Sequence, residues 1–327
     1  MKRSIALTAL VLTAAFAVAQ SSAGKFPWLD KMSDDPDKML PGVDPTKVTG
    51  NIVTSGSSTV FPLSEAVTEL FVKEGYTGQI SIDSIGSGGG LERFGKGELD
   101  VANASRGIKA SEIEKATASY GSAPIEIRVG TDALAVCVSS KNTFAKDVTK
   151  EELAKIFSDA VYWSDVRASW PNKEIKRYIP GTDSGTFDYF TEEIFKKKKE
   201  PILGAKNLQM SEDDNVLVQG ISGSEYAVGF FGYAYFNENK SRIKALSIGG
   251  VVPNQESVDK ATYPLARPLF MYVTGKTLND KPQVAAFINF YLSNVNRVIK
   301  RVGYFPAPAA ELKKAKQAWL DATKGRY

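Results

Sequence analysis

Apolar and polar positions along this 327-residue chain change period repeatedly. Gln79 to Ile85 alternates as a half-buried strand does. Short apolar runs at Asn51–Thr54, Asp100–Ser105, Ile125–Val129, Ala133–Val138, Ile175–Ile179, Ala227–Phe231, Ile243–Ile248 and Leu269–Thr274 read as further strands. Between them the spacing lengthens to that of a helix. Leu63, Ala66, Val67, Leu70 and Phe71 follow Pro62, which suits a first helical turn, and Gly75 is a natural stop. A helix over Leu91–Lys96 follows a glycine run, and another starts at Ser111 with Ile113 and Ala116. Thr149-x-x-Glu152 is a capping box for a helix ending near Phe157. Helices are also expected through Tyr189, Phe190 and Ile194, near Asn215–Gly220, and over Gln283–Leu292. Strands alternating with helices predict an α/β fold with mostly parallel sheets, and no internal repeat is present.

Three strand-to-helix turns share one chemistry. They are Gly56-Ser57-Ser58-Thr59, Gly86-Ser87-Gly88-Gly89-Gly90 and Gly181-Thr182-Asp183-Ser184-Gly185-Thr186. In parallel α/β sheets, ligands sit at the carboxyl ends of strands, where helix N-termini present unpaired N–H groups. Taken singly, each turn is explained by glycine flexibility and hydroxyl N-caps. Taken together, they predict a cage for one small oxyanion. Arg106, at a strand end among small residues, is the cation expected to grip it, because a guanidinium can hold two oxygens in parallel. The alternative for Arg106 is a structural ion pair with Asp83 or Asp183. Gly90 to Lys96 fits the start of a nucleotide P-loop, but Gly97 stands where Ser or Thr is required, and the dinucleotide glycine fingerprint is not met either.

Composition narrows the classes of function. At 43% apolar and 24% charged the chain is an ordinary globular one, and a net charge of +4 is no nucleic-acid footprint. The basic run Lys196–Lys199 reads as a solvated helix end. There is no histidine and one cysteine, so His-based triads, His-ligated zinc or copper and Cys-cluster metal sites are excluded. No cofactor is expected. Cys137 lies in an apolar strand and reads as a small buried hydrophobe. Residues 1–23 carry Lys2, Arg3, an apolar run and small residues, which predicts a secretory signal cleaved after Ala19 or Ala23, hence an exported chain without a lipid-anchored cysteine. Residues 24–48 read as a linker or N-terminal arm, with Asp34, Asp35 and Asp37 in a solvated acidic turn. The aromatic cluster Phe230 to Phe236 reads as core.

The ordered set Gly56-Ser57-Ser58-Thr59-Val60-Phe61-Pro62, Gly86 to Gly90, Ala104-Ser105-Arg106 and Ser184-Gly185-Thr186, with Val218-Gln219-Gly220 and Gly229 to Ala234, resembles the phosphate-binding receptors (PstS) of bacterial phosphate ABC transporters. The likeness runs from Thr49 to the C-terminus. It implies a type II periplasmic-binding-protein fold, two α/β lobes joined by two crossing strands, with residues 49–131 and 265–327 in one lobe and 132–264 in the other. It implies phosphate ligands at Ser58, Thr59, Val60 (through its N–H), Ser87, Ser184, Gly185 and Thr186, with Arg106 added. It further implies a periplasmic monomer that passes inorganic phosphate to an inner-membrane permease. The chain departs from a common pattern in the family, an aspartate after Ala-Ser and an arginine before Ser-Gly-Thr. Here Arg106 and Pro180 stand at those places, and Asp183 is the candidate proton acceptor. Receptors for sulfate, molybdate or arsenate, a metal-dependent exported phosphatase and an interaction protein using the arm are the rival readings.

Overall fold

The computed structural model describes residues 24–30, 33–182 and 184–327. The signal segment and Asp183 therefore lie outside the described residues. The main strands are β1 (Ile52–Gly56), β2 (Ile80–Ser84), β3 (Val101–Ala104), β4 (Pro124–Ser139), β5 (Lys176–Pro180), β6 (Leu208–Ser211), β7 (Ala227–Gly232), β8 (Ile243–Ala245) and β9 (Ala266–Thr274). The main helices are α1 (Phe61–Lys73), α2 (Gly86–Gly95), α3 (Ala110–Tyr120), α4 (Lys150–Ile156), α5 (Gly185–Phe195), α6 (Asp214–Ser222), α7 (Tyr233–Glu238), α8 (Pro282–Val302) and α9 (Ala309–Ala322).

The large sheet runs β2-β1-β3-β9-β4-β7-β5-β6, with β8 also on β4. Two parallel triads, β2-β1-β3 and β7-β5-β6, flank an antiparallel centre of β9 and β4. The sheet is thus mixed rather than mostly parallel, because the two crossing strands run against their neighbours. Residues 125–129 and 133–138 are not successive strands either. They form one 16-residue strand that continues through Gly130-Thr131-Asp132. Its first part pairs with β9 and its last part with β7 and β8, so one strand serves both lobes.

Buried apolar residues gather into separate cores on either side of that crossing. One is built on α1, α8 and the inner face of the first triad, including Val67, Phe71, Ile127 and Phe287. A second surrounds Phe157, Phe190, Phe230 and Val136, and smaller clusters form around Phe94 and Tyr272 and around Ile221 and Phe231. Leu265 and Phe305 pack with the second core although the sequence places them with the first. Thr149 caps α4 as its sequence requires, with both bonds of the capping box made. Cys137 is fully buried and burial pushes its thiol up.

Residues 24–48 are no free linker. Phe26 stacks on Trp28 at 4.9 Å, Trp28 meets Trp319 of α9 at 6.1 Å, and the Phe26 N–H donates to the Arg326 carbonyl at 2.7 Å. The acidic turn is not solvated as a whole. Asp35 is buried and accepts from Met39 N–H at 2.9 Å, Leu40 N–H at 3.0 Å and the buried Lys316 ammonium. Asp37 completes the cluster at 2.8 Å from Lys316.

Candidate functional site

The carboxyl ends of β1, β2 and β3 lie side by side, and their turns form one wall of a cleft. Gly56 ends β1 with φ +141, and a Cβ there would stand 2.1 Å from the Asn103 carbonyl oxygen, so only glycine fits. The turn that follows is held by Ser57, whose Oγ accepts the N–H of Thr59 at 3.2 Å and of Val60 at 3.4 Å. That turn leaves the Ser58 and Thr59 side chains on the cleft.

The glycine run differs from its sequence reading. It is no turn preceding a helix, because α2 itself begins at Gly86 and the glycines form its first turn and more. Packing explains why. A Cβ on Gly90 would come within 2.4 Å of Gly56 Cα, whereas Gly86 and Gly88 face open space. Bare glycine lets α2 lie directly on the end of β1 and leaves its first turn facing the cleft. Ser87 Oγ accepts the Ser105 N–H at 3.0 Å and lies 3.2 Å from Ser105 Oγ, tying the second turn to the end of β3.

The third turn approaches from the other lobe. Ser184 caps α5 by accepting the Thr186 N–H at 3.2 Å. A Cβ on Gly185 would meet Thr59 Oγ1 at 3.6 Å and Ser58 at 3.7 Å, so the first and third turns face each other at the deep end with room for about one methyl group between them.

Arg267 occupies that deep end. It lies on β9 opposite Asp132 on β4, at the crossing of the two lobes, and is only 8% exposed. Its Nε donates to Asp132 Oδ2 at 3.1 Å, and its Nη2 donates to Thr59 Oγ1 and, at 3.2 Å, to the Gly185 carbonyl. The guanidinium stacks 3.9 Å from the centre of the Tyr189 ring. A guanidinium has five N–H donors, and three are used, so the two on Nη1 have no protein acceptor among the described residues. Burial pushes the Asp132 carboxyl up, opposed by the adjacent Arg267 charge. Because Thr59 Oγ1 accepts from Arg267, its own proton is free to be donated into the cleft.

The cleft encloses about 630 Å³. Of the residues expected at the site, Ser58, Thr59, Ser87 and Arg106 line it, and Gly185 adjoins it. Val60, Ser184 and Thr186 do not line it. The N–H groups of Val60 and Thr186 are turned instead to Ser57 and Ser184. Arg106 has its ion pair, but with Glu112 at 2.8 and 2.9 Å rather than with Asp83, which pairs with Arg93 at 3.2 Å. Arg267, Asp132, Ser105 and Tyr189 were not singled out from the sequence. The signal that could have found two of them is the polar break, Gly130-Thr131-Asp132, inside an otherwise apolar strand, matched by Arg267-Pro268 at the start of another. Among the described residues no group of three or more His, Cys, Asp or Glu could hold a metal ion, and no helix is long and apolar enough to cross a membrane.

The PBP superfamily domain matches residues 42–295. Protein SphX of Synechococcus elongatus is 44% identical over 286 residues, covering 84% of this chain and 82% of that protein. Phosphate-binding protein PstS of Staphylococcus saprophyticus is 33% identical over 289 residues, covering 86% and 88%. Among solved structures, a possible phosphate binding protein from Planctomyces limnophilus matches with a TM-score of 0.78 at 38% identity, over 85% of this chain and all (100%) of that one. Three glycine- and hydroxyl-bearing turns, a mixed sheet with two crossing strands and these relatives agree: the chain belongs to the PBP superfamily and, within it, to the PstS family of phosphate-binding receptors.

Proposed function

We propose that the protein binds inorganic phosphate outside the cytoplasm and delivers it to an ABC-transporter permease, with no catalytic step of its own. One observation carries this reading: a buried guanidinium with two N–H donors unclaimed among the described residues stands between the first and third hydroxyl- and N–H-bearing turns, in the cleft that the second turn also lines. An anion taken out of water must regain its hydrogen bonds, or burial is prohibitive. Arg267 supplies charge and two donors. Thr59, Ser58, Ser87 and Ser105 supply hydroxyls, and Gly185 adds an N–H at the start of α5, where the helix dipole favours negative charge. Donors come from both lobes, so the ligand binds the closed arrangement better than the open one and shifts the population towards it. That closed shape is what a permease can recognise.

In this reading Arg267 takes the central place the sequence assigned to Arg106. Its partner Asp132 holds Nε and thereby points the opposite edge of the fork at the ligand. The names of the relatives favour phosphate over sulfate, molybdate or arsenate. Asp183 remains the proposed acceptor for the ligand's proton. Calorimetry on the chain without residues 1–23 is expected to show one phosphate per chain, with an excess of sulfate failing to compete. Sulfate binding as tight as phosphate would replace this reading by that of a general oxyanion receptor.

A further inference from the structure

Helix α5 begins at the deep end of the cleft and runs outwards along it. Gly185 faces the first turn, Asp188 and Tyr189 come one helical turn later, and Glu192 two turns later; all but Gly185 line the cleft. At a rise of about 1.5 Å per residue, Glu192 stands roughly 10 Å out from the Gly185 N–H. That is too far to touch a phosphate held by Arg267. Glu192 also has the wrong sign for an anion cleft. A carboxylate there repels the incoming ligand unless it has another partner in the closed state.

The facing wall provides one. Arg106 and Lys109 line the same cleft from the other lobe, just after β3. Arg106 is a third exposed, and its contacts with Glu112 and Gly107 use Nη1 and Nη2, leaving Nε and part of Nη2 unclaimed among the described residues. Lys109 has no carboxylate partner among the described residues. Among the described residues Glu192 has only an exposed lysine of its own lobe, Lys197, at 3.1 Å. Glu192 also bears on the Arg106 guanidinium: Glu112 chiefly holds that group above its ordinary value, and Glu192 adds to the effect from across the cleft. At the deep end Arg267 already bridges Thr59 and the Gly185 carbonyl, whereas Glu192 faces Arg106 and Lys109 across the cleft with no hydrogen bond between them among the described residues.

We infer that Glu192 is a positioning residue for phosphate retention: it clasps Arg106 and Lys109 across the mouth when the lobes close. This rests on the phosphate reading above. Glu192 touches no ligand and acts by favouring the closed state, which slows release. The clasp and simple charge repulsion predict opposite signs, so the test is direct. Phosphate affinity is measured by calorimetry, and release by stopped flow, for the wild type, Glu192→Gln and Lys197→Gln at low and high salt. The clasp predicts that Glu192→Gln binds about threefold more weakly at low salt, the scale of a partly exposed ion pair, with faster release and a difference that fades at high salt. Lys197→Gln, which frees Glu192 from its own lobe, is expected to bind no more weakly than wild type. Tighter or unchanged binding by Glu192→Gln, or weaker binding by Lys197→Gln, overturns the clasp and leaves phosphate binding standing. A wild type that binds no phosphate overturns both.

Discussion

Arg267 combines three properties that separate it from the other cations of the cleft: it is buried, stacked on Tyr189 and held at Nε by a carboxylate. Lysine at this position keeps the charge but loses the planar fork and the stacking face. Arg267→Lys is therefore expected to weaken phosphate binding by about 3 kcal/mol, on the order of 100-fold in Kd, as read by calorimetry. Arg106→Gln, already committed to Glu112 and partly exposed, is expected to cost no more than about 1 kcal/mol. If the two variants lose affinity in the reverse order, the cation of the site is Arg106 after all. The sequence pointed to Arg106, at a strand end among small residues, and not to Arg267. Burial, which decides the matter, is not a property of the local sequence.

At the scale of elements, α2 and α6 show how helix starts are set by what lies beneath them. Gly90 packs against the end of β1 and Gly88 faces space, so the two glycines respond differently to an added methyl. Gly90→Ala forces the helix off the strand and is expected to lower stability by about 1–3 kcal/mol. Gly88→Ala, in an ordinary helical conformation, is expected to raise it by about 0.5–1 kcal/mol, both read from chemical denaturation. In α6, Asp214 follows Glu212 and Asp213. Burial first, then those two neighbouring carboxylates, push it up to about 6, against the helix dipole. A carboxyl with a raised folded pKa binds its proton more tightly in the folded state. Stability from this group is therefore present at low pH and falls as pH rises from about 4 through 6. Asp214→Asn is expected to stabilise the protein at pH 7, by on the order of 1 kcal/mol, and to have little effect at pH 4. An equal shift in melting temperature at both pH values would discount this account.

At the scale of the whole molecule, the segment around Phe26 and Trp28 is fastened to the C-terminal helix on the first lobe. Phe26, Trp28, Leu40 and Val43 share one core with α8 and α9, and the Asp35–Lys316 pair is buried. Burial opposes ionisation of Asp35, but the Lys316 ammonium and the N–H groups of Leu40 and Asp37 outweigh it and hold the carboxyl below its ordinary value. Lys316→Met leaves that carboxylate buried and unpaired, and is expected to cost about 3–5 kcal/mol, read as a lower denaturation midpoint. The depressed pKa adds that wild-type stability from Asp35 is present above the ordinary carboxylate range and is lost as pH falls below it. A midpoint unchanged by Lys316→Met would return residues 24–48 to the role of a loose arm.

Most of the alternation of strands and helices, two of the three turns and the family were legible in the sequence, whereas β6, α7, α9 and the continuity of β4 were not; what was legible rests on local signals, a period of two or 3.6, a glycine at a turn, a hydroxyl at a helix start. The capping box at Thr149 and the helix starting at Pro62 are of this kind. What the tertiary structure alone decided is which side chains meet. Arg267 and Asp132 stand 135 residues apart, and only the antiparallel register of β9 on β4 sets them side by side. Both sit where the hydrophobic pattern breaks. Read locally, a polar pair between apolar runs ends a strand. In the folded molecule the same residues are buried at the crossing of the lobes, where each charge is compensated by the other. The glycine run of α2 makes the same point in reverse, since local rules read its flexibility as a turn, and the close approach of β1 makes it a helix.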